Sequence, residues 1–317
     1  MKAKFWGVRG SRSVSRRNVI EYGGNTTCLE VLSKEGDVYI EDAGNGIVEL
    51  GNDLMKRGVK KIKILISHDH WDHIQGFPFF VPAYVPGNEV DVYSGDKQLG
   101  AKLVDQNARS ETAFLRRSDL EGRMGNTVVM HKSSETNHTK EVFEGQQNVK
   151  AGYFPVPVSV MGANIKFHDL KEYDLVENGL NFSYMFHNAH PGGMFSYKVQ
   201  ENGRTLVNTG DYEQDGGETD RKMIDWARNA DALIIDAQYT PEFYITKTKG
   251  WGHSHYEGAC RIAAEANVKR VYITHHDPNS SDDSLRAMES KAQKYMQEVL
   301  KKDIQVFFAK EGMEVEV

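Results

Sequence analysis

The chain has 317 residues, enough for one large α/β domain or two small ones with a sizeable core. Hydrophobic residues make up 39%, charged residues 26%, and the formal net charge is −6. That composition is as in a soluble globular protein, and the charge gives no global pull towards nucleic acid or anionic membrane, although a local basic patch is compatible with it. Lys4-Phe5-Trp6-Gly7-Val8 opens the chain as a strand, with no long apolar stretch of the kind a secretory leader needs. No uncharged run reaches membrane-spanning length, so no membrane partner is expected. Residues 27–32 and 37–40 read as neighbouring strands joined by the turn Lys34-Glu35-Gly36. Asp42-Ala43-Gly44-Asn45-Gly46 then closes a strand and opens a helix over residues 47–57.

Next comes the apolar run Ile62-Lys63-Ile64-Leu65-Ile66, a buried strand by length and β-branching. It leads directly into His68-Asp69-His70-Trp71-Asp72-His73. Three histidines and two aspartates in six residues, at the C-terminal end of a strand, stand where α/β proteins place their chemistry. Imidazole nitrogens and carboxylate oxygens together suit zinc, iron or manganese. His68 and His70 alternate, so extended backbone points both the same way. Asp72 and His73 are adjacent and can face a second ion as the chain turns into a helix at about Ile74-Gln75-Gly76. Cys28 and Cys260 are the only cysteines and form no C-x-x-C pair, so the ligands must be His and Asp. Two distant thiols make no disulfide framework, and a reducing cytoplasm is the expected setting.

Residues 90–93 form another strand. From about 97 to 148 the character changes: Leu99, Leu103 and Val104 indicate a helix, Phe114, Leu115 and Leu120 another, and 130–138 is polar without strong periodicity. This stretch reads as an insertion, serving as a lid, a dimer arm or a mobile loop, and a homodimer is the expected assembly. Its Arg109, Arg116, Arg117 and Arg123 fit either a phosphate path or an ordinary solvated face. β–α alternation then resumes, with strands at 180–186, 194–199 and 204–208, a helix at 219–228, a strand at 232–235, a helix at 256–266, a strand at 270–273, a long helix at 282–300, and strands at 304–308 and 314–317. Two β-rich halves with helices outside predict an α/β fold, an αββα sandwich over residues 1–317.

The hexad H-x-H-x-D-H resembles the signature of the metallo-β-lactamase superfamily. The resemblance implies further ligands downstream in a fixed order. His190, in His187-Asn188-Ala189-His190-Pro191-Gly192-Gly193, matches the third ligand of the first metal, with His187 its competitor. Asp211, delivered by the strand before Thr209-Gly210-Asp211, matches the bridging carboxylate. His275, in Thr274-His275-His276-Asp277-Pro278, matches the last ligand, with His276 the neighbouring alternative. The implied set is His68, His70, His190 and Asp211 on one metal, and Asp72, His73, Asp211 and His275 on the other. Zinc is the expected metal, with manganese or iron as alternatives.

Gly250-Trp251-Gly252-His253-Ser254-His255 resembles the Gly-His-Ser-Thr segment of ribonuclease Z and related phosphodiesterases, whose histidine contacts the scissile phosphate and can protonate the leaving oxygen. His253 takes that place. His255 stands where threonine is usual, which leaves open which histidine acts. Ser254 also suits a helix N-cap. Phe5-Trp6-Gly7-Val8-Arg9-Gly10-Ser11, Tyr22-Gly23-Gly24-Asn25-Thr26-Thr27-Cys28, Asp42-Ala43-Gly44 and Asp236-Ala237-Gln238-Tyr239-Thr240-Pro241 extend the likeness to a bacterial branch near ribonuclease Z and the cyclic-nucleotide phosphodiesterases. In such folds Asp42 would brace a ligand histidine; it equally suits a plain turn before Gly44.

The implied activity is binuclear metal-dependent hydrolysis of a small phosphodiester. His253 is the expected proton donor, and Asp72 the metal-bound aspartate that orients the attacking hydroxide. A ribonuclease Z-like RNA endonuclease is the alternative of the same chemistry; nucleic acid is the less favoured substrate for this acidic chain. A di-iron oxygen or redox protein on the same fold is the alternative of another class, but its pattern is H-x-E-x-D-H, and His70 occupies the glutamate position. Thioester and lactone hydrolases form a third possibility, against which His253 weighs.

Overall fold

In a computed structural model of the chain, the β-branched runs pair into two sheets, each of seven strands among the described residues. The structure describes residues 1–95, 137–170, 175–177 and 180–317. The helices expected around Leu99 and Phe114, together with Arg109, Arg116, Arg117 and Arg123, lie outside the described residues. The first sheet holds β1 (Lys2–Gly7), β2 (Cys28–Leu32), β3 (Val38–Glu41), β4 (Lys61–Ile66), β5 (Glu89–Gly95) and β6 (Asn164–Leu170) side by side, with β14 (Glu314–Glu316) added next to β1. The second runs β7 (Leu175–Glu177), β8 (Leu180–His187), β9 (Met194–Glu201), β10 (Arg204–Asn208), β11 (Ala232–Asp236), β12 (Arg270–Thr274) and β13 (Gln305–Phe308).

β3 to β6 pair in parallel, and so do β10 to β13. Parallel neighbours need crossover connections, and helices provide several of them. α1 (Gly46–Arg57) joins β3 to β4. α4 (Glu218–Trp226), α5 (Tyr256–Glu265) and α6 (Asp282–Lys294) link successive strands from β10 to β13. α2 (Trp71–Ile74) and α3 (His138–Gln146) lie between β4 and β6 in the chain.

The periodicity of each strand sets the layers. In β4, Ile62, Ile64 and Ile66 pack with Ile47, Leu50 and Leu54 of α1, while Leu65 faces the other way. There it joins Phe5, Val31, Phe182, Tyr197, Leu206, Ile234 and Tyr272 between the sheets. On the outer face of the second sheet, Val271 and Ile273 meet Met223, Ala263, Leu285 and Met288 of the helices. The order is therefore helix, sheet, sheet, helix, with each fully buried aliphatic side chain worth roughly 1.5–3 kcal/mol. α1 stops at Gly58, whose φ of 70° lets its N–H reach Leu54 O and Met55 O.

Several elements depart from the sequence reading. The chain turns helical at Trp71, inside the hexad rather than after it. α6 ends at Lys294 and passes into a π-helical turn, Tyr295–Val299. β6 escapes the pattern because Asn164, Lys166 and His168 interrupt it; it lies at the sheet edge, and His168 reaches Asp91 across the strands at 2.7 Å. Residues 137–148, read as the end of the insertion, include α3, capped by Asn137 and buried through Phe143 against Phe77 at 4.4 Å.

Polar bridges tie the sheets together beneath the loops. Asn208 Nδ2 donates to Glu41 Oε2 at 2.7 Å, and Tyr197 Oη donates to Ile66 O at 2.8 Å. Burial pushes the Glu41 carboxyl up to about 8, against the pull of the Asn208 hydrogen bond. The folded chain therefore keeps this proton to about pH 8. The unfolded chain releases it at an ordinary carboxyl pKa of about 4.3, so stability falls across that interval as pH rises. Glu41→Gln, which cannot ionise, is expected to remove that fall and to be more stable than the parent at pH 8 by on the order of a few kcal/mol, with no such advantage at pH 4. Urea unfolding at the two pH values measures it; parallel pH dependence in both proteins would refute the assignment.

Candidate metal centre

The C-terminal ends of β4, β8, β10, β11 and β12 converge. β4 leads into His68, and His70, on extended backbone (φ −64°, ψ 151°), is the N-cap of α2. The helical turn then places Asp72 and His73 with Asp211 and His275, the His73 ring still 4.2 Å from that of His68. β8 leads into His190, β10 into Asp211, β11 ends in Asp236, and β12 leads into His275.

Ligand atoms of His68, His70 and His190 lie within 4.8 Å of one another, as do those of Asp72, His73, Asp211 and His275. Asp211 reaches both groups. Its Oδ2 is 3.7 Å from His68 Nε2, 3.7 Å from His190 Nε2 and 3.3 Å from His73 Nε2, and its Oδ1 is 3.2 Å from His275 Nε2. Asp72 Oδ2 is 3.2 Å from His275 Nε2 and 3.6 Å from His73 Nε2. Donors about 2.0–2.2 Å from one tetrahedral cation stand about 3.3–3.6 Å apart, and these separations fall close to that span. The Nε2 atoms of His68 and His73 are buried without a hydrogen-bond partner. Buried polar atoms in that state are costly, and a cation between them satisfies them. The donor set, imidazole nitrogen with carboxylate oxygen, fits zinc and its first-row neighbours.

Electrostatics agree with that use. Burial, with the neighbouring His73, holds His68 well below the ordinary imidazole value, and burial lowers His190 to about 3. Both are therefore neutral, with lone pairs free to bind. Burial opposes ionisation of Asp211, yet the facing His275 and His73 hold its carboxyl well below the usual range. Burial likewise works against a charged His275, and the Asp211, Asp72 and Asp236 carboxylates outweigh it, raising His275 to about 9. In the chain alone, protons on histidine supply the positive charge that these carboxylates demand.

A second ring of contacts orients the ligands. Asp42 Oδ2 stands 2.7 Å from His73 Nδ1, and the same carboxylate accepts from Ser67 N at 2.8 Å and Ser67 Oγ at 3.0 Å. His190 Nδ1 donates to Gly252 O at 2.9 Å. Ser11 N donates to Asp72 Oδ2 at 2.6 Å. These bonds leave Nε2 of His73 and His190 facing the centre. Asp42 and His275 both hold positive φ, 64° and 60°, a conformation costing roughly 1–3 kcal/mol that surrounding contacts must impose.

His253 completes the cluster. Its ring stacks on His275 at 4.7 Å between centroids and lies 4.9 Å from His190. Its Nδ1 is 2.7 Å from Asp236 Oδ2, and the Asp236 carboxylate also accepts from Tyr212 N and Gln238 N. Burial pushes the Asp236 carboxyl up, although His253 draws it down. The sequence reading assigned Asp236 no role. The available signal was an acidic residue ending the wholly apolar stretch Ala232-Leu233-Ile234-Ile235.

The competing histidines point elsewhere. His187 Nε2 pairs with Ser196 Oγ at 2.8 Å, and its Nδ1 accepts from Ala189 N. His276 Nε2 donates to Ala309 O at 2.8 Å, and its ring stacks on Phe308. His255, not Ser254, is the N-cap of α5: its Nδ1 accepts from Gly258 N at 3.3 Å, while Ser254 Oγ accepts from Gln214 N. Cys28 and Cys260 are free and buried.

Comparison with known proteins agrees with this architecture. The model of the Beta-lactamase superfamily domain matches residues 40–276. Ribonuclease Z of Thermoplasma acidophilum is 34% identical over 114 residues, 36% of this chain and 35% of the relative. The chain thus matches only about a third of that relative's length. Ribonuclease Z of Haloferax volcanii aligns over 100% of this chain and 95% of its own at 24% identity. Among solved structures, the metallo-β-lactamase fold protein YhfI from Bacillus subtilis superposes with a TM-score of 0.63, covering 100% of this chain and 98% of its own at 17% identity. Among the described residues no helix is long and apolar enough to cross a membrane. With the family model spanning most of the chain and the αββα layers in place, the chain belongs to the metallo-β-lactamase superfamily of metal-dependent hydrolases, near ribonuclease Z.

Proposed function

We propose that the chain is a binuclear phosphodiesterase acting on a small nucleotide or related diester. The observation that supports it best is the Asp236–His253 pair, 2.7 Å apart, set against a donor set with two groups bridged by Asp211. His68, His70, His190 and Asp211 would hold one cation, and Asp72, His73, Asp211 and His275 the other. When bound, two divalent cations, zinc by donor chemistry, lower the pKa of a water between them and offset charge growing on the phosphoryl oxygens. Asp72, fixed through Oδ2 by Ser11 N, orients the attacking oxygen. His253 donates Nδ1–H to Asp236 Oδ2, so in the doubly protonated ring the proton on Nε2 is the one available to the departing alkoxide. An alkoxide leaving phosphorus needs that proton, whereas a thiolate leaving a thioester does not; this favours a phosphodiester over a thioester.

An RNA phosphodiester is the second reading, favoured by the name of the relatives, Ribonuclease Z. Elemental analysis of zinc-loaded protein is expected to give two ions per chain, and the same preparation to hydrolyse bis-p-nitrophenyl phosphate and a cyclic nucleotide. Loaded protein inert towards every diester would overturn the proposal. Filter binding of a transfer RNA precursor at several salt concentrations separates the substrates, because phosphate contacts make true RNA binding fall steeply with salt.

A further inference from the structure

The rim of the centre carries two large apolar side chains that the fold leaves in water. Trp71 is 59% exposed and Trp251 61%. Each stands one residue from a group of the centre. Trp71 follows His70, a half-exposed residue of the hexad. Trp251 precedes Gly252, whose carbonyl accepts from His190 Nδ1. His70 Nδ1 and His190 Nε2 are 2.9 Å apart, so the backbone segments that carry the two indoles both run beside one histidine pair.

The presentation of Trp251 is built rather than incidental. Glu213 clamps the backbone on both sides of it, Oε1 accepting from Gly250 N at 2.6 Å and Oε2 from Gly252 N at 2.7 Å. Tyr244 Oη donates to the same carboxylate at 2.8 Å, and Trp251 N donates to Thr248 O at 3.0 Å. Gly250 and Gly252 have φ of 89° and 88°, and a Cβ at Gly252 would collide with His190 and Pro191. The loop is thus fixed against the metal centre while its indole faces solvent. Trp71 is held as the first residue of α2, its carbonyl accepting from Gln75 N.

We propose that Trp71 and Trp251 form a stacking platform for a nucleobase of the substrate, placing the attached phosphate at the metal pair. The proposal rests on the phosphodiesterase reading. Every purine and pyrimidine offers a flat π face, and exposed indoles bind such faces without reading sequence. Rigid presentation lowers the ordering cost of that contact. Pro191 and Gly192, exposed directly after His190, add no charge that would compete for the base.

Two esters with the same scissile bond test it: methyl p-nitrophenyl phosphate and thymidine 5′-(p-nitrophenyl phosphate). The parent is expected to prefer the thymidine ester through a lower KM. Trp251→Ala and Trp71→Ala are each expected to raise KM for that ester by about tenfold. Both should leave kcat, and all constants for the methyl ester, within about twofold, and Trp251→Phe should restore most of the loss. Titration of metal-free protein with adenosine 5′-monophosphate should quench indole fluorescence in the parent and not in the double alanine variant. A parent that hydrolyses neither ester would sink the phosphodiesterase reading and the platform with it. A parent that hydrolyses both without preference, or variants that weaken both esters alike, would overturn the platform and leave the hydrolase standing.

Discussion

Asp211→Ala is expected to purify with less than one metal per chain and to lose hydrolysis of bis-p-nitrophenyl phosphate by about a thousandfold or more. The magnitude follows from position. Asp211 is within 3.7 Å of ligand atoms on His68, His190, His73 and His275, so one substitution removes a donor from both groups. The remaining histidines are then buried beside one another with less compensating negative charge, which opposes a cation and a protonated ring equally. Thermal melting supplies a readout independent of turnover. A ligand at about a thousand times its Kd stabilises the folded state by about 4 kcal/mol, so zinc should raise the parent's Tm by several degrees and leave the variant nearly unmoved. Full metal content together with unchanged diester hydrolysis would show that Asp211 is not a shared ligand.

The elements that placed this carboxylate were largely legible in the sequence because their signals are local. Ile62, Ile64 and Ile66 announce a buried strand within six residues, and Asp211 and His275 each follow a short apolar run. What stayed hidden depends on contacts between distant segments. Asp236 finds His253 17 positions away on another loop, and no spacing rule connects them. His255 displaces Ser254 as the cap of α5 because Ser254 is engaged by Gln214, a partner from 40 residues upstream. β6 shows only half of its alternation, since an edge strand needs little of its surface apolar. The choice of His190 over His187 shows the limit from the other side. His187 ends β8 and His190 lies three residues beyond it, and contacts in space separate them: the Ser196 and Thr209 network captures His187, while His190 meets Gly252 and His70.

His253→Ala is expected to retain both metals and lose activity in proportion to how much the leaving group needs a proton. On a cyclic nucleotide, whose alkoxide is a poor leaving group, kcat should fall by roughly 10²–10⁴. On bis-p-nitrophenyl phosphate, whose nitrophenolate departs as the anion near neutral pH, the loss should be small. The contrast matters because His253 is buried and stacks on His275, so an alanine could also disturb the metal site. A disturbed site would slow both substrates and lower metal content, whereas removal of an acid slows only the first. Asp236→Asn gives the matched control. It keeps shape and volume but replaces the carboxylate that faces His253 Nδ1 at 2.7 Å with a neutral amide, which gives less support to the doubly protonated ring that donates from Nε2. Its loss should follow the same leaving-group pattern at smaller amplitude, with metal content unchanged. Equal losses on both diesters, in either variant, would remove His253 from the proton path and leave it a packing partner of His275.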